Sequence, residues 1–206
     1  MGFYENYILP KMVHCMCSMK PVTKQRQKVV PLAKGRVLEI GIGSGLNLPF
    51  YDPSNVDHVW GLDPSKRMKK MAEKYAVKTQ FEVEFLGLSG DEIPLDSNSA
   101  DTILVTYTLC SIPDIFQALN EMRRIIKTGG KLIFCEHGLA PDENVQKWQN
   151  RMNPLWKFMG GGCHLNRPIP DLIEQGGFRI TSMETDYIDA MKPVSYNYWG
   201  SAVIKK

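Results

Sequence analysis

The stretch RVLEIGIGSGL, residues 36–46, carries the reading on which the fold turns. Arg36–Ile40 is a short apolar run that breaks into glycines, the pattern of a strand buried on both faces of a parallel sheet. The glycines then alternate at positions 41, 43 and 45. Glycine allows a tight turn and brings backbone amides against a ligand. A dinucleotide fingerprint would place its third glycine where Leu46 stands, and a phosphate-binding P-loop would end in Lys-Ser or Lys-Thr. The turn fits neither pattern. It suits a ligand without a pyrophosphate, held by shape and by amides.

Outward from this turn the chain alternates. HVWGL at 58–62 reads as a second strand, closed by Asp63-Pro64-Ser65, with Ser65 or Asp63 able to cap a helix over 66–75. Leu46–Tyr51 opens a helix or loop between the two. Strands are expected at 81–86, 101–106 and 131–135. A helix over 114–126 starts after Pro113 and ends at Gly129-Gly130. Residues 142–175 read as helical with a break at Gly160-Gly161-Gly162, and two late strands follow at 179–187 and 196–204. Before the first strand, 3–19 has helical spacing interrupted by Pro10, and 23–33 reads as a second helix. Strand and helix in alternation predict a mostly parallel sheet of seven strands with helices on both faces. The closely spaced final pair predicts a hairpin that introduces one antiparallel strand. The expected organisation is an N-terminal helical cap segment, 1–34, and one α/β domain, 35–206.

Bulk properties narrow the class. The chain has 206 residues, 43% hydrophobic and 23% charged, with a net charge of +3. That is ordinary globular composition and gives no reason to invoke nucleic acid. Charge is uneven: residues 1–35 hold Lys11, Lys20, Lys24, Arg26, Lys28 and Lys34 against Glu5. Such a leader suits an anionic lipid surface or a solvated helix face. No run approaches a membrane span, and the first residues carry no signal-peptide pattern. Five cysteines point to free thiols in a reducing compartment. His14, Cys15 and Cys17 lack zinc-ligand spacing, so no metal is expected. Cys110 and Cys163 read as small buried hydrophobes, and Trp148, Trp156, Phe158 and Trp199 as core rather than pocket.

Asp63 follows Gly45 by 18 residues and ends the second strand. In a doubly wound sheet that tip lies beside the first turn. A carboxylate there can accept from both hydroxyls of a ribose, so the ordered pair indicates a nucleoside-type cofactor.

The motifs together resemble the class I S-adenosylmethionine-dependent methyltransferases. VLEIGIGSG is similar to their first motif, GLDPS to their second, and KTGGK followed by LIFCEH to the turn and strand five. The resemblance implies a Rossmann-like fold and S-adenosyl-L-methionine as cofactor, with S-adenosyl-L-homocysteine as product. It also implies that Ser89, Gly90 and Asp91 border the adenine. On this reading Gly41, Gly43 and Gly45 form the cofactor turn and Asp63 binds ribose. Glu39 faces the methionine amino group or steadies the turn. Thr106 and Tyr107 wall the cofactor, or pack. His137, at the end of strand five, is the expected catalytic base, with a structural histidine as its alternative. Tyr7 is expected on the acceptor side, and His164 and Arg167 either close over the acceptor or pair with a phosphate, or anchor their loop by hydrogen bonds.

A narrower resemblance rests on TLCSIPD, FCEHGLAPD, NPLWK and GGGCHLNRPIP. These strings are similar to a bacterial group near the methyltransferase-like seven proteins, which methylate alkyl thiols. LEIGIGSGLNLP resembles the soluble phosphatidylethanolamine N-methyltransferases, and quinone C-methyltransferases match more distantly. The hydrophobic N-terminal anchor of the thiol enzymes is not seen here. The expectation is a cytoplasmic enzyme, peripheral at the inner membrane face through its basic leader, that methylates a small thiol or a phospholipid headgroup amine. A quinone-type carbon acceptor and a non-catalytic cofactor- or lipid-binding role are the alternatives. Oligomeric state is left open. No NPPY-type tetrapeptide follows strand four, which argues against a flipped base.

Overall fold

The structure, a computed structural model, describes residues 4–87 and 93–205, apart from the side chains of Glu5 and Asn6. Its centre is a seven-stranded sheet in the order β3-β2-β1-β4-β5-β7-β6. The strands are β1 (Gly35–Ile40), β2 (Val56–Leu62), β3 (Glu82–Leu86), β4 (Ala100–Thr106), β5 (Ile126–His137), β6 (Phe178–Tyr187) and β7 (Tyr196–Ile204). β1 pairs parallel with β2 and β4, and β4 parallel with β5. β7 enters antiparallel between β5 and β6. The late hairpin and its single reversed strand therefore match the sequence expectation.

Burial on both faces explains why the central strands read as unbroken apolar runs. Leu38, Ile103 and Phe134 point into one core. Val37, Leu104 and Ile133 point into the other. α4 (Ile115–Ile125) and α6 (Ile169–Gln175) cover the first face through Leu119, Met122, Ile169 and Ile173. The second face is covered by Val29 and Val30, at the end of α2 (Lys20–Val29), with Tyr75 and Ala76 of α3 (Lys66–Ala76) packed against it. The Ser65 hydroxyl accepts from the Met68 amide and caps α3. Asp114 caps α4 in the same way through the Gln117 amide. Of the two caps offered for α3, Ser65 makes the bond.

Between β1 and β2, where a helix or loop was expected, the chain makes a run of turns and a 3-10 turn, Leu48–Phe50, with Pro49 inside it. Two expectations shift. α4 ends at Ile125, before its glycines, and β5 starts at Ile126 with a register shift where Gly129 and Gly130 lie. α5 (Glu143–Met159) continues through Pro154. Trp148 and Phe158 do not join the core: they are 57% and 73% exposed, on a face of α5 turned away from the sheet. Trp199 is buried. No helix among the described residues is long and apolar enough to cross a membrane.

Phe134 is fully buried at the centre of the first core. Phe134→Ala is expected to lower the unfolding free energy by about 3–5 kcal/mol, measured by urea denaturation. A loss below about 1 kcal/mol would contradict the packed layer described here.

Candidate active site

β1 lies between β2 and β4, so successive connections leave it in opposite directions and open a crevice at its carboxyl end. A cavity of about 690 Å³ occupies that crevice, within the usual range for a small-molecule site. The glycine turn forms its floor. Gly41, Gly43 and Gly45 have φ of +71°, +55° and +80°, a region that side chains avoid. A Cβ on Gly41 would lie 2.2 Å from the Thr108 hydroxyl, and one on Gly45 would lie 2.9 Å from Ala72 Cα. At Gly43 nothing intrudes within 3.8 Å, which leaves its backbone open to an incoming group.

Asp63 closes the turn. Its Oδ2 accepts from the Gly43 amide at 3.0 Å and its Oδ1 from the Ser65 amide at 2.8 Å. Burial raises its carboxyl above the usual range, and the two backbone bonds oppose the shift. Each oxygen keeps further lone pairs, and the side chain lines the cavity.

Behind the turn runs a buried polar network that sequence reasoning only partly foresaw. Glu39, at 1% exposure, accepts from Asn47 Nδ2 at 2.8 Å and from the Tyr51 hydroxyl at 2.7 Å. Of the two roles offered for Glu39, steadying the turn is the one these bonds perform. Arg26 donates through one Nη to Asn47 Oδ1 at 2.7 Å and to Thr106 Oγ1 at 2.8 Å. Its guanidinium also lies over the Tyr107 ring, 5.4 Å from the centroid. Arg26 lines the cavity, the described residues offer it no ion-pair partner, and its Nε is buried without a hydrogen-bond partner. A buried cation left in that state fits an anionic group in the cavity. The reading of residues 1–35 as one basic face concealed it. The signal was its place on the helical stripe of Val22, Val29 and Val30.

Thr106 and Tyr107 both line the cavity. Tyr107 holds a non-glycine φ of +53°, and its hydroxyl donates to Asn197 Oδ1 at 2.6 Å. α1 (Leu9–Cys17), which precedes α2, forms the opposite wall through Leu9, Pro10, Val13, His14 and Cys17. His14 Nδ1 meets Ser44 Oγ at 2.7 Å and ties that wall to the glycine turn.

The acceptor-side candidates fall elsewhere. His137 stacks behind Tyr107 with centroids 6.4 Å apart, its Nε2 lies 3.1 Å from Cys163 Sγ, and it does not line the cavity. Direct proton transfer from an acceptor to its ring would have to cross the cavity wall. Arg167 spends its guanidinium on the carbonyls of Leu109 and Ile112. The His164 amide donates to Cys110 O. Tyr7 is half exposed under the guanidinium of Arg67, 4.2 Å from its centroid. None of these three lines the cavity. Ser89, Gly90 and Asp91 lie outside the described residues.

Cys110 and Cys163 are more than small hydrophobes. Their sulfurs are 3.4 Å apart. Cys163 also receives the Trp156 indole N–H at 3.4 Å. The Cys110 contact, with help from His137 and Trp156, pulls the Cys163 thiol below its ordinary range against the effect of burial. Glu136 sits beside this group at zero exposure. Its Oε1 accepts from the Thr108 and Leu109 amides, its Oε2 has no partner, and burial raises it to about 7.

An open, mostly parallel sheet with a cofactor turn at its switch point and an acid at the next strand tip defines a nucleoside-cofactor enzyme of Rossmann-like build. Comparison with known proteins narrows that class. Residues 38–134 match a family described as a methyltransferase domain. The human thiol S-methyltransferase TMT1B is 32% identical over 183 residues, which cover 86% of this chain and 74% of the human protein. Its rat counterpart is 32% identical over 152 residues, and the chain spans 62% of that protein's length. Among solved structures, the methyltransferase complexed with the Trm112 activator of Haloferax volcanii superposes with a TM-score of 0.73 at 17% identity, covering 95% of each chain. The chain belongs to the class I S-adenosylmethionine-dependent methyltransferases, and S-adenosylmethionine is its cofactor.

Glu39 gives a test of the network. Burial raises its carboxyl from the ordinary 4.5 to about 7. Its stabilising protonated form is fully present below the unfolded value and is lost as pH rises through the folded one. Glu39→Gln mimics that protonated form. Its advantage over the native chain in urea denaturation is expected to grow from near zero at about pH 4.5 to on the order of 3 kcal/mol above about pH 7.5. An equal difference at both pH values would contradict this.

Proposed function

We propose that the chain transfers the methyl group of S-adenosylmethionine to a small apolar thiol. The carrying observation is the cavity itself. One end is polar, made by the glycine turn, Asp63 and Arg26, and the rest is walled largely by apolar side chains such as Leu9, Val13, Ile112 and Met122. The likeness to thiol S-methyltransferases supports sulfur over nitrogen or carbon as the acceptor atom.

The cofactor supplies a methyl group already activated by its sulfonium. The chain's residues have to bind, orient and exclude water, and positioning of this kind removes much of a barrier. In this reading the amides of the Gly41–Gly45 turn meet the cofactor and Asp63 accepts from its ribose hydroxyls. Arg26 takes the methionine carboxylate, and Thr106 and Tyr107 wall the methionine part. Residues 1–34 act as the cap, with α1 shutting water out. Any part played by His137 runs through Cys163 or Tyr107 rather than by contact with the acceptor.

The peripheral membrane contact belongs to the same proposal. Tyr4 stacks on Phe158 with centroids 5.9 Å apart. Close in sequence to that stack, Tyr7, Ile8 and Leu155 are exposed, and Lys11 and Lys157 lie nearby. The patch suits an interface from which an apolar acceptor enters. Ile8→Asp with Phe158→Asp is expected to abolish sedimentation with anionic vesicles, and undiminished sedimentation would remove this contact.

Two calorimetric titrations separate the residue roles. Asp63→Ala is expected to weaken both S-adenosylhomocysteine and methylthioadenosine, which lacks the amino-acid part, by ~1.5–3 kcal/mol. Arg26→Met is expected to weaken S-adenosylhomocysteine more than methylthioadenosine. Equal losses for both ligands in Arg26→Met would contradict the carboxylate assignment. With methyl-labelled cofactor, label is expected in alkyl thiols and not in phosphatidylethanolamine or quinones, and the reverse would overturn the acceptor class.

A further inference from the structure

Cys110, His137 and Cys163 come from three segments: the loop after β4, the tip of β5, and the glycine-rich turn after α5. Their donor atoms nevertheless lie within 4.8 Å of one another. His137 Nε2 is 3.1 Å and Cys110 Sγ 3.4 Å from Cys163 Sγ. The edges of a tetrahedral zinc site with two thiolates and an imidazole are roughly 3.5–3.8 Å. The two short pairs would open by a few tenths of an ångström to seat an ion, and the Cys110–His137 pair, within 4.8 Å, would adjust around it. We propose that these three side chains form a binding site for a thiophilic divalent cation, Zn²⁺ by chemistry, with three protein ligands and a fourth position for water or an outside donor.

The surroundings support an ion rather than a chance contact. Two thiolates and one imidazole are a borderline-soft set that selects zinc over magnesium or calcium. The Trp156 indole N–H points at Cys163 Sγ from outside the trio. An outer donor of this kind is common around metal-bound ligands. Charge also balances, because M²⁺ with two thiolates and a neutral imidazole is neutral. Each thiol still protonated before binding releases its proton to solvent.

The site would pin the wall that Ser111, Ile112, Gly160 and Gly161 present to the cavity. It gives His137 and both cysteines a role that does not require them to reach the acceptor.

The test uses the full chain, purified under reductant and stripped by chelator. Titration with Co²⁺ is expected to give one ion per chain, with thiolate-to-cobalt charge-transfer absorption and the intense visible bands of tetrahedral geometry. Competition with a chromophoric chelator should show Zn²⁺ displacing Co²⁺. Because loss of outer partners alone costs about 10–100-fold, Cys163→Ser and Cys110→Ser should each bind at least about 100-fold more weakly. Cys15→Ser, at an exposed thiol, should bind as the native chain does. If either serine variant fails to fold by circular dichroism, the native charge-transfer intensity still reports whether two thiolates bind. Absence of those bands, less than half an equivalent bound, or undiminished binding by a folded Cys163→Ser would overturn the site. So would mass spectrometry showing a Cys110–Cys163 disulfide that excludes the metal under anaerobic, reducing conditions.

Discussion

The whole arrangement depends on a place where no side chain fits. The Thr108 hydroxyl occupies the space that a Cβ on Gly41 would need, and Ala72 does the same at Gly45. These close approaches let the turn after β1 lie flat between the exit of β4 and the body of α3. Only glycine takes the positive φ angles at no steric cost. Once the turn lies there, the Gly43 amide reaches Asp63 and the backbone faces a cavity rather than a wall. Strand order supplies the rest, since a crevice opens where connections from β1 to its neighbours diverge.

A second constraint ties the N-terminal region to this turn. Glu39, Asn47, Tyr51, Arg26 and Thr106 share hydrogen bonds out of contact with bulk water. Burying a carboxylate and a guanidinium is costly, and the network is viable only when nearly every polar atom is paired. The pairing is nearly complete, and the exception, Arg26 Nε, lies on a side chain that lines the cavity. The polar core thus serves two ends: it fixes the cofactor turn and holds a positive charge ready for an anion.

Much of this was legible in the sequence. The alternation of apolar strands with amphipathic helices, the late strand pair, the glycine turn and Asp63 are local or ordered signals, and each survives in the structure. Features assembled by folding were not legible. Arg26 was hidden among neighbouring lysines of the same charge. Cys110, His137 and Cys163 lie in three segments, 27 and 26 residues apart, so no short spacing announces them. For Arg167 and His164 the sequence left open a place over the acceptor or a loop anchored by hydrogen bonds, and the bonds formed are of the second kind: the guanidinium of one braces backbone carbonyls and the other is held through its amide. Trp148 and Phe158 were assigned to the core by residue type, but helix orientation turns them outward.

The position of the cofactor decides all the residue roles above, and a crystal structure with S-adenosylhomocysteine would show it. The expected placement has the ribose hydroxyls on Asp63, the thioether over the amides of Gly41 to Gly45, and the methionine carboxylate against Arg26. A ligand bound outside this crevice, or inverted so that adenine faces Arg26, would contradict it.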